Sequence, residues 1–112
     1  MSRNHTRGPW MALPEEGDKP YIRIRGTVGG TRFKIANVLK PIYEDPPEWE
    51  AEETAANVNL IAAAPELLGQ LRVTVMYLQS ACLAMDNESR QMALETVKEA
   101  RATIAKATGE TA

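Results

Sequence analysis

The apolar pattern of this chain changes its period once, and that change constrains the fold more than any other feature. Residues 21–25 and 32–36 alternate between apolar and polar side chains, a period of two that is typical of strands with one buried face. Residues 67–85 place apolar side chains at steps of three and four, which is typical of an amphipathic helix. The pattern therefore predicts a sheet followed by helices.

Turn residues divide the first part into short strands. Gly29 and Gly30 lie between the alternating segments 21–25 and 32–36. Because glycine reaches positive φ at little cost, we expect a tight hairpin turn there. A further strand is predicted at residues 10–13, where Pro14 ends it. The apolar residues expected to face the core are Ile22, Ile24, Phe33 and Ile35.

Prolines and caps set the limits of the helices. We expect a first helix from about residue 50 and a break just before Pro65, which suits the first turn of a new helix. The second helix should run to residue 85, and the third from about 88 to 106, with Asp86 as its cap. The fold class predicted is α+β: a small antiparallel sheet of two or three strands, then a broken helix and a long antiparallel helical hairpin.

The length of 112 residues suits a single domain. We expect a flexible arm over residues 1–9, a β-sheet part over 10–39, an acidic proline-rich connector over 40–49 and a helical part over 50–108. The start resembles no signal peptide, and no apolar run approaches the ~20 residues of a membrane span. A cytoplasmic protein that makes no membrane contact is therefore expected.

Catalytic groups are scarce. His5 is the only histidine and Cys82 the only cysteine, so neither a disulfide nor an ordinary zinc site is expected. A nucleophile and its base must lie within hydrogen-bond reach, and Cys82 lies instead on an apolar stripe. The glycine-rich segment 26–30 joins two strands and lacks the lysine of a phosphate loop. We expect no enzyme, no cofactor and no metal.

Charge is unevenly placed, although the net charge is only −2. Residues 1–43 carry eight basic and three acidic side chains, whereas residues 44–112 carry five basic and twelve acidic ones. Six of these acids fall between residues 44 and 53 and would repel long nucleic acid. With two aromatic residues they form a candidate protein-binding segment: Tyr43, Glu44, Asp45, Glu48, Trp49, Glu50, Glu52 and Glu53. The alternative is a solvated linker whose Trp49 packs on the helices.

A second candidate surface lies on the predicted sheet. If the two strands pair, one face carries four cations and an aromatic ring, which suits phosphate groups and a stacked base. Its residues are Tyr21, Arg23, Arg25, Arg32 and Lys34. The alternative is an ordinary solvated outer face.

The apolar stripe of the second helix is wide enough to meet more than the last helix. We therefore expect a homodimer in which two hairpins form a four-helix arrangement. The interface residues predicted are Leu67, Leu71, Leu78 and Met85. The alternative is a monomer whose sheet and helices close one core.

Three segments together resemble small phage and prophage proteins. Residues 5–10, HTRGPW, resemble their "TPGPW" opening; residues 56–71, ANVNLIAAAPELLGQL, resemble their "ANARLIAAAPELLEAL" core; and residues 100–109, ARATIAKATG, resemble their "ARAAIAKATG" ending. The chain departs from the family at Val58 and Gly69, where alanine and glutamate are usual.

This resemblance implies a phage or prophage accessory protein that acts inside a bacterium. It also implies a function by analogy, a non-enzymatic counter-defence inhibitor of the anti-CRISPR kind that binds and blocks a host protein complex. One alternative is an oligomeric sponge for a cyclic nucleotide immune signal. Another is a structural or regulatory prophage protein without a defence role.

Overall fold

Three strands precede three helices in the computed structural model, which describes residues 4–110. The strands are β1 (Trp10–Ala12), β2 (Tyr21–Val28) and β3 (Thr31–Leu39). The helices are α1 (Glu48–Ala62), α2 (Ala64–Ala81) and α3 (Asn87–Ala107), with a 3-10 turn (Cys82–Ala84) after α2. The chain divides into two compact units, one up to Glu66 and one from Leu67 onward, and each is described by itself.

The sheet is antiparallel with strand order β1-β2-β3. Gly29 and Gly30 have φ of 60° and 81°, so the predicted tight turn is present and depends on glycine. A β-bulge interrupts the β2–β3 register: Ile24 pairs with Ala36, but Arg25 pairs with Lys34, and Ile35 is the extra residue. The extra residue shifts the alternation of β3, so that Ala36 and Val38 share the face of Ile24.

The core of the first unit lies between this sheet and α1, which packs across all three strands. Ile24 is fully buried at its centre, and Val58 of α1 is 4% exposed. Gly26 is also buried. A Cβ at this position would lie 3.2 Å from the Thr6 methyl and 3.4 Å from the Trp10 ring, so the space does not readily admit a side chain. The glycine thus makes room for Trp10, whose indole N–H donates to the Thr6 carbonyl at 3.0 Å.

A single residue separates α1 from α2. Ala63 closes α1 with φ −85° and ψ −2°, and its N–H donates to the Asn59 carbonyl at 3.1 Å. Pro65 is the second residue of α2, where a missing N–H costs nothing because the first turn has no intrahelical acceptor. The predicted break before this proline is confirmed to within one residue.

The second unit is an antiparallel helical hairpin. Its buried residues are Val75, Cys82, Ala93 and Val97.

The cap of α3 is as predicted. The Asp86 side chain accepts a hydrogen bond from the Ser89 N–H at 2.8 Å. That bond lowers the pKa of the Asp86 carboxyl. A lowered carboxyl pKa favours folding at neutral pH, and this contribution is lost as the pH falls through the lowered value.

Arg90 holds the turn of the hairpin. Its guanidinium donates to the Cys82 carbonyl at 3.1 Å and to the Met85 carbonyl at 2.8 Å. The Cys82 carbonyl also accepts from the Met85 N–H at 3.2 Å. Both carbonyls lie at the end of the first arm of the hairpin, where a cation complements the helix dipole.

The α+β fold class predicted from the sequence is confirmed, with strands and helices in the expected order. Two details differ. Phe33 was expected in the core but is 43% exposed, because it pairs with Gly26 near the Gly29-Gly30 turn, at the end of the sheet. The helix after the break ends at Ala81 and tightens into a 3-10 turn, instead of running to Met85.

The predicted division into parts and the single-domain organisation stay predictions. Of the predicted arm, residues 1–3 lie outside the described residues. Within residues 4–9, the His5 ring stacks edge-on against Trp10 with centroids 6.0 Å apart. No helix among residues 4–110 is long and apolar enough to cross a bilayer.

Truncation of Ile24 tests this account of the core. We expect Ile24→Ala to lower the free energy of unfolding by about 2–5 kcal/mol, because it opens a cavity beneath α1. Leu39→Ala is the control on the same sheet, since Leu39 is 73% exposed, and it should change stability by under about 0.5 kcal/mol. Urea denaturation measures both, and equal losses would contradict the assignment of the core.

Candidate protein-binding surface

The acidic candidate residues occupy the connector and the first two turns of α1. Tyr43, Glu44 and Asp45 lie in the connector, and the other five lie on the helix. All eight are exposed except Glu50, which is half-buried. Asp45 adopts a left-handed backbone with φ 48°, which is uncommon for a non-glycine residue and marks a sharp bend before the helix. We call these eight residues the acidic–aromatic surface.

Trp49 is on the solvent side of α1, opposite Val58, and is 58% exposed. Steps of four, three and four residues place Glu53, Ala56 and Leu60 on the same side of the helix. Leu60 is 63% exposed and extends the surface by an apolar side chain that sequence reasoning missed. The spacing from Trp49 was the signal that could have found it.

The six carboxylates of this surface make no ion pair with any residue in the described range 4–110. The two ion pairs found there use other acids: Arg23 with Glu16 at 2.6 Å and Lys40 with Glu15 at 3.0 Å. The α1 N-terminus favours the nearest carboxylates, but its effect fades within one turn. The surface therefore carries a concentrated negative potential that suits a cationic partner.

Tyr43 interacts with the helix through Glu50. Hydrogen bonding to the Glu50 carboxylate, helped by desolvation and by its negative charge, raises the pKa of the Tyr43 phenol. The Tyr43 ring remains 53% exposed. Its neighbour Ile42 is 81% exposed and was also missed by sequence reasoning. Two aromatic rings and two aliphatic side chains thus lie among the carboxylates.

A small cavity of about 240 Å³ lies beside this surface, under the connector. Its lining residues are Glu15, Ile22, Lys40, Pro41, Pro46, Ala51 and Thr54. The Lys40 ammonium donates to the Glu16 carbonyl at 3.2 Å and also pairs with Glu15. Ligand pockets usually hold about 300–1,000 Å³, so this cavity is small for a nucleotide.

The basic candidate residues share one sheet face, as predicted. The register pairs Tyr21 with Leu39, Arg23 with Asn37, Arg25 with Lys34 and Thr27 with Arg32. Paired residues point to the same side, so all five predicted residues lie on the face opposite Ile24.

Two of the four cations on that face already have partners. Arg23 pairs with Glu16 at 2.6 Å. Arg25 donates to the carbonyls of Ile24 at 2.8 Å and Ala36 at 3.1 Å, and to the Asn37 side chain at 3.1 Å. Ile24 and Ala36 form the last β2–β3 pair before the bulge, so Arg25 adds hydrogen bonds that hold the two strands together at this irregular point.

Arg32 and Lys34 remain as exposed cations near the turn of the hairpin. Neither makes an ion pair with another residue between 4 and 110. The sheet face therefore offers two charges to an anion, instead of the four that its sequence suggests.

The predicted oligomer residues are only partly accessible. Leu71, Leu78 and Met85 are half-buried, while Leu67 is 52% exposed. Two apolar side chains are more exposed than these four. They are Met76, on another side of α2, and Leu83, in the 3-10 turn that follows it.

The chemistry of the remaining candidates is limited. Cys82 is 2% exposed, and its thiol donates to the Gln79 carbonyl at 3.0 Å. The His5 ring is hydrogen-bonded through Nδ1 to the neighbouring Thr6 carbonyl at 2.8 Å. Across residues 4–110, no group of three or more acidic, histidine or cysteine side chains is arranged to hold a metal ion.

Comparison with known families identifies the chain. The family model of Salmonella phage P22 protein Y8K6 matches residues 1–111. The chain belongs to this phage protein family. The match confirms that the protein is a small phage protein, as its sequence motifs indicated. Searches of curated proteins and of solved structures found no match.

The interaction of Tyr43 with Glu50 can be tested directly in this Y8K6-family protein. We expect Glu50→Ala to lower the pKa of Tyr43 toward its ordinary value, because the accepting carboxylate is gone. Glu48→Ala is the control, since it removes an equal charge from the same helix turn. An NMR titration of the tyrosine ring carbons measures both, and an unchanged Tyr43 pKa in Glu50→Ala would refute the interaction.

Proposed function

We propose that this Y8K6-family protein is a non-enzymatic inhibitor that binds and blocks a host protein complex through its acidic–aromatic surface. The observation that carries the proposal is the cluster of six exposed or half-exposed carboxylates without an ion-pair partner among the described residues. Beyond the first turn of α1, where the helix N-terminus favours them, like charges on one short segment repel one another and do not help the fold. They are suited to a partner that supplies the opposite charge.

The apolar members of the surface supply the affinity that charge alone does not. Tryptophan and tyrosine are enriched among residues that dominate binding energy, and Trp49 and Tyr43 are both more than half exposed. Rim carboxylates accelerate association with a basic partner and select against acidic ones. Together the two types of side chain form an ordinary protein-recognition surface.

A nucleic-acid-binding complex is the kind of target that this surface fits. Such complexes expose lysines and arginines for phosphates, and a dense row of carboxylates competes for the same cations. Bacterial defence complexes that act on phage genomes have this property, and a phage protein that occupied their cations would protect the phage. A structural or regulatory prophage role is the alternative, with a partner outside defence.

Charge reversal tests the blocker. We expect Glu48→Lys/Glu52→Lys/Glu53→Lys to abolish the advantage that the protein gives its phage on a defended host, because it inverts the surface. The matched control is Glu95→Lys/Glu99→Lys/Glu110→Lys, which changes the net charge equally on exposed positions of the second unit. Plating efficiency on isogenic strains with and without defence systems is the measurement, and Trp49→Ala should reduce the advantage alone.

The same variants separate the alternatives. Equal plating by wild type, deletion and triple variant on every defended strain would refute the counter-defence role. A loss of phage growth on undefended hosts, caused by the triple variant and not by its control, would assign the surface to a structural or regulatory role.

A cyclic-nucleotide sponge is the second candidate. It is favoured by Arg32 and Lys34, two exposed cations on the sheet face that also carries Tyr21. A cyclic dinucleotide needs charge neutralisation and a stacking ring. This face carries both, but Tyr21 lies ~13 Å along β2 from the residue that pairs with Lys34 and ~20 Å from the one that pairs with Arg32. The engagement of Arg23 and Arg25 by other groups makes it the weaker candidate.

A thermal-shift screen decides on the sponge. Cyclic di- and trinucleotides and cyclic ADP-ribose isomers at millimolar concentration should raise the Tm if any of them binds the folded chain. Arg32→Ala/Lys34→Ala should remove the shift, whereas Lys98→Ala/Lys106→Ala should keep it. No shift with any ligand would rule out the sponge, and a shift that survives the first variant would exclude this face.

A further inference from the structure

Helix α2 is apolar on two sides. One stripe, at positions 68, 71, 75, 78, 82 and 85, holds the buried Val75 and Cys82 and faces α3. A second stripe is displaced around the helix and follows steps of four, three, four and three residues. Its members are Gly69, Val73, Met76, Ser80 and Leu83. We call it the outer stripe, and its spacing is that of a coiled-coil seam.

The outer stripe is exposed along its length. Val73 is 46% exposed, Met76 66% and Leu83 77%, and the adjacent Tyr77 is 74% exposed. No charged residue occurs between Val73 and Met85. A surface helix usually carries charged or polar residues away from its core stripe, so an exposed apolar stripe there marks an interaction surface.

The order of side-chain sizes along the stripe is self-complementary. When two copies of α2 run antiparallel about a two-fold axis at Met76, Gly69 lies opposite Leu83, Val73 lies opposite Ser80, and Met76 meets its own copy. Each layer except the central Met76 pair thus sets a larger side chain against a smaller one, which is how helix layers interdigitate.

Gly69 supports this arrangement independently. A glycine inside a helix weakens it, and a Cβ at Gly69 would meet no atom within 4 Å. Nothing in the described chain therefore requires glycine at this position. A leucine from an antiparallel copy would fill the space above it.

The area is adequate for a dimer. Val73, Met76, Tyr77 and Leu83 together expose on the order of 500 Å² per copy, so two copies approach the roughly 1,000 Å² at which specific interfaces begin. An isologous two-fold contact uses one patch twice and closes on itself.

We infer that the occupant of the outer stripe is a second copy of this chain, packed antiparallel about a two-fold axis at Met76. This dimer uses a different side of α2 from the predicted residues Leu67, Leu71, Leu78 and Met85. The inference is independent of the proposed inhibitor function.

A charge placed on the two-fold axis tests the contact. Wild type should sediment at twice the chain mass of 12.3 kDa at micromolar concentration. Met76→Lys should weaken the dimer on the order of 100-fold or more, because two lysines meet at the axis. Thr74→Lys, at an exposed position on the side of α2 away from the outer stripe, should leave it intact. Far-UV circular dichroism checks that both variants are folded.

A charge-pair test fixes the orientation. In the antiparallel arrangement Val73→Lys/Ser80→Glu places each lysine opposite a glutamate, whereas Val73→Lys/Ser80→Lys places lysine opposite lysine. The first variant should dimerise and the second should not, with the difference shrinking at high salt. If the two variants have equal masses, the two-fold axis at Met76 is wrong.

Two further results would overturn the inference. One is a wild-type mass of 12.3 kDa at micromolar concentration. The other is a dimer that Met76→Lys leaves intact and Leu67→Lys disrupts, which would return the interface to the predicted stripe.

Discussion

The sheet depends on how Arg25 resolves the bulge between β2 and β3. The extra residue, Ile35, brings Ala36 and Val38 onto the face that meets α1, and it interrupts the hydrogen-bond ladder at the same point. The Arg25 guanidinium donates to the carbonyls of both Ile24 and Ala36, and so ties the two strands together beside the bulge. The fully buried Ile24 is therefore held between a packed face and a satisfied backbone.

This structural use of arginine determines which surface is available for recognition. A cation bound to main-chain carbonyls cannot also receive a phosphate without releasing them, so the sheet face loses part of its apparent affinity for anions. The carboxylates at the start of α1 have no comparable engagement within residues 4–110. If α2 pairs with a second copy, the acidic–aromatic surface is displayed twice, and a target with two basic sites would be held by avidity.

Local chemistry made much of the fold predictable from the sequence. The turn at Gly29-Gly30, the break before Pro65 and the Asp86 cap each depend on the backbone geometry of one or two residues. The bulge was not predictable, because Ile35 continues the alternation of polar and apolar residues in the sequence 32–36. Nothing in that pattern shows that Ile35 is left unpaired. The outer stripe was missed because the first stripe of α2 already explained the helix. The hydrogen bonds of Arg23 and Arg25 could not be predicted either, because their acceptors include residues on other segments of the chain.

The hydrogen bonds of Arg90 determine which substitutions the hairpin turn tolerates. Their acceptors are main-chain oxygens of Cys82 and Met85, which every amino acid carries. The turn therefore tolerates substitutions at exposed positions such as Ala84, provided that Arg90 remains. Cys82 and Asp86 are exceptions, because burial constrains the first and the α3 cap the second.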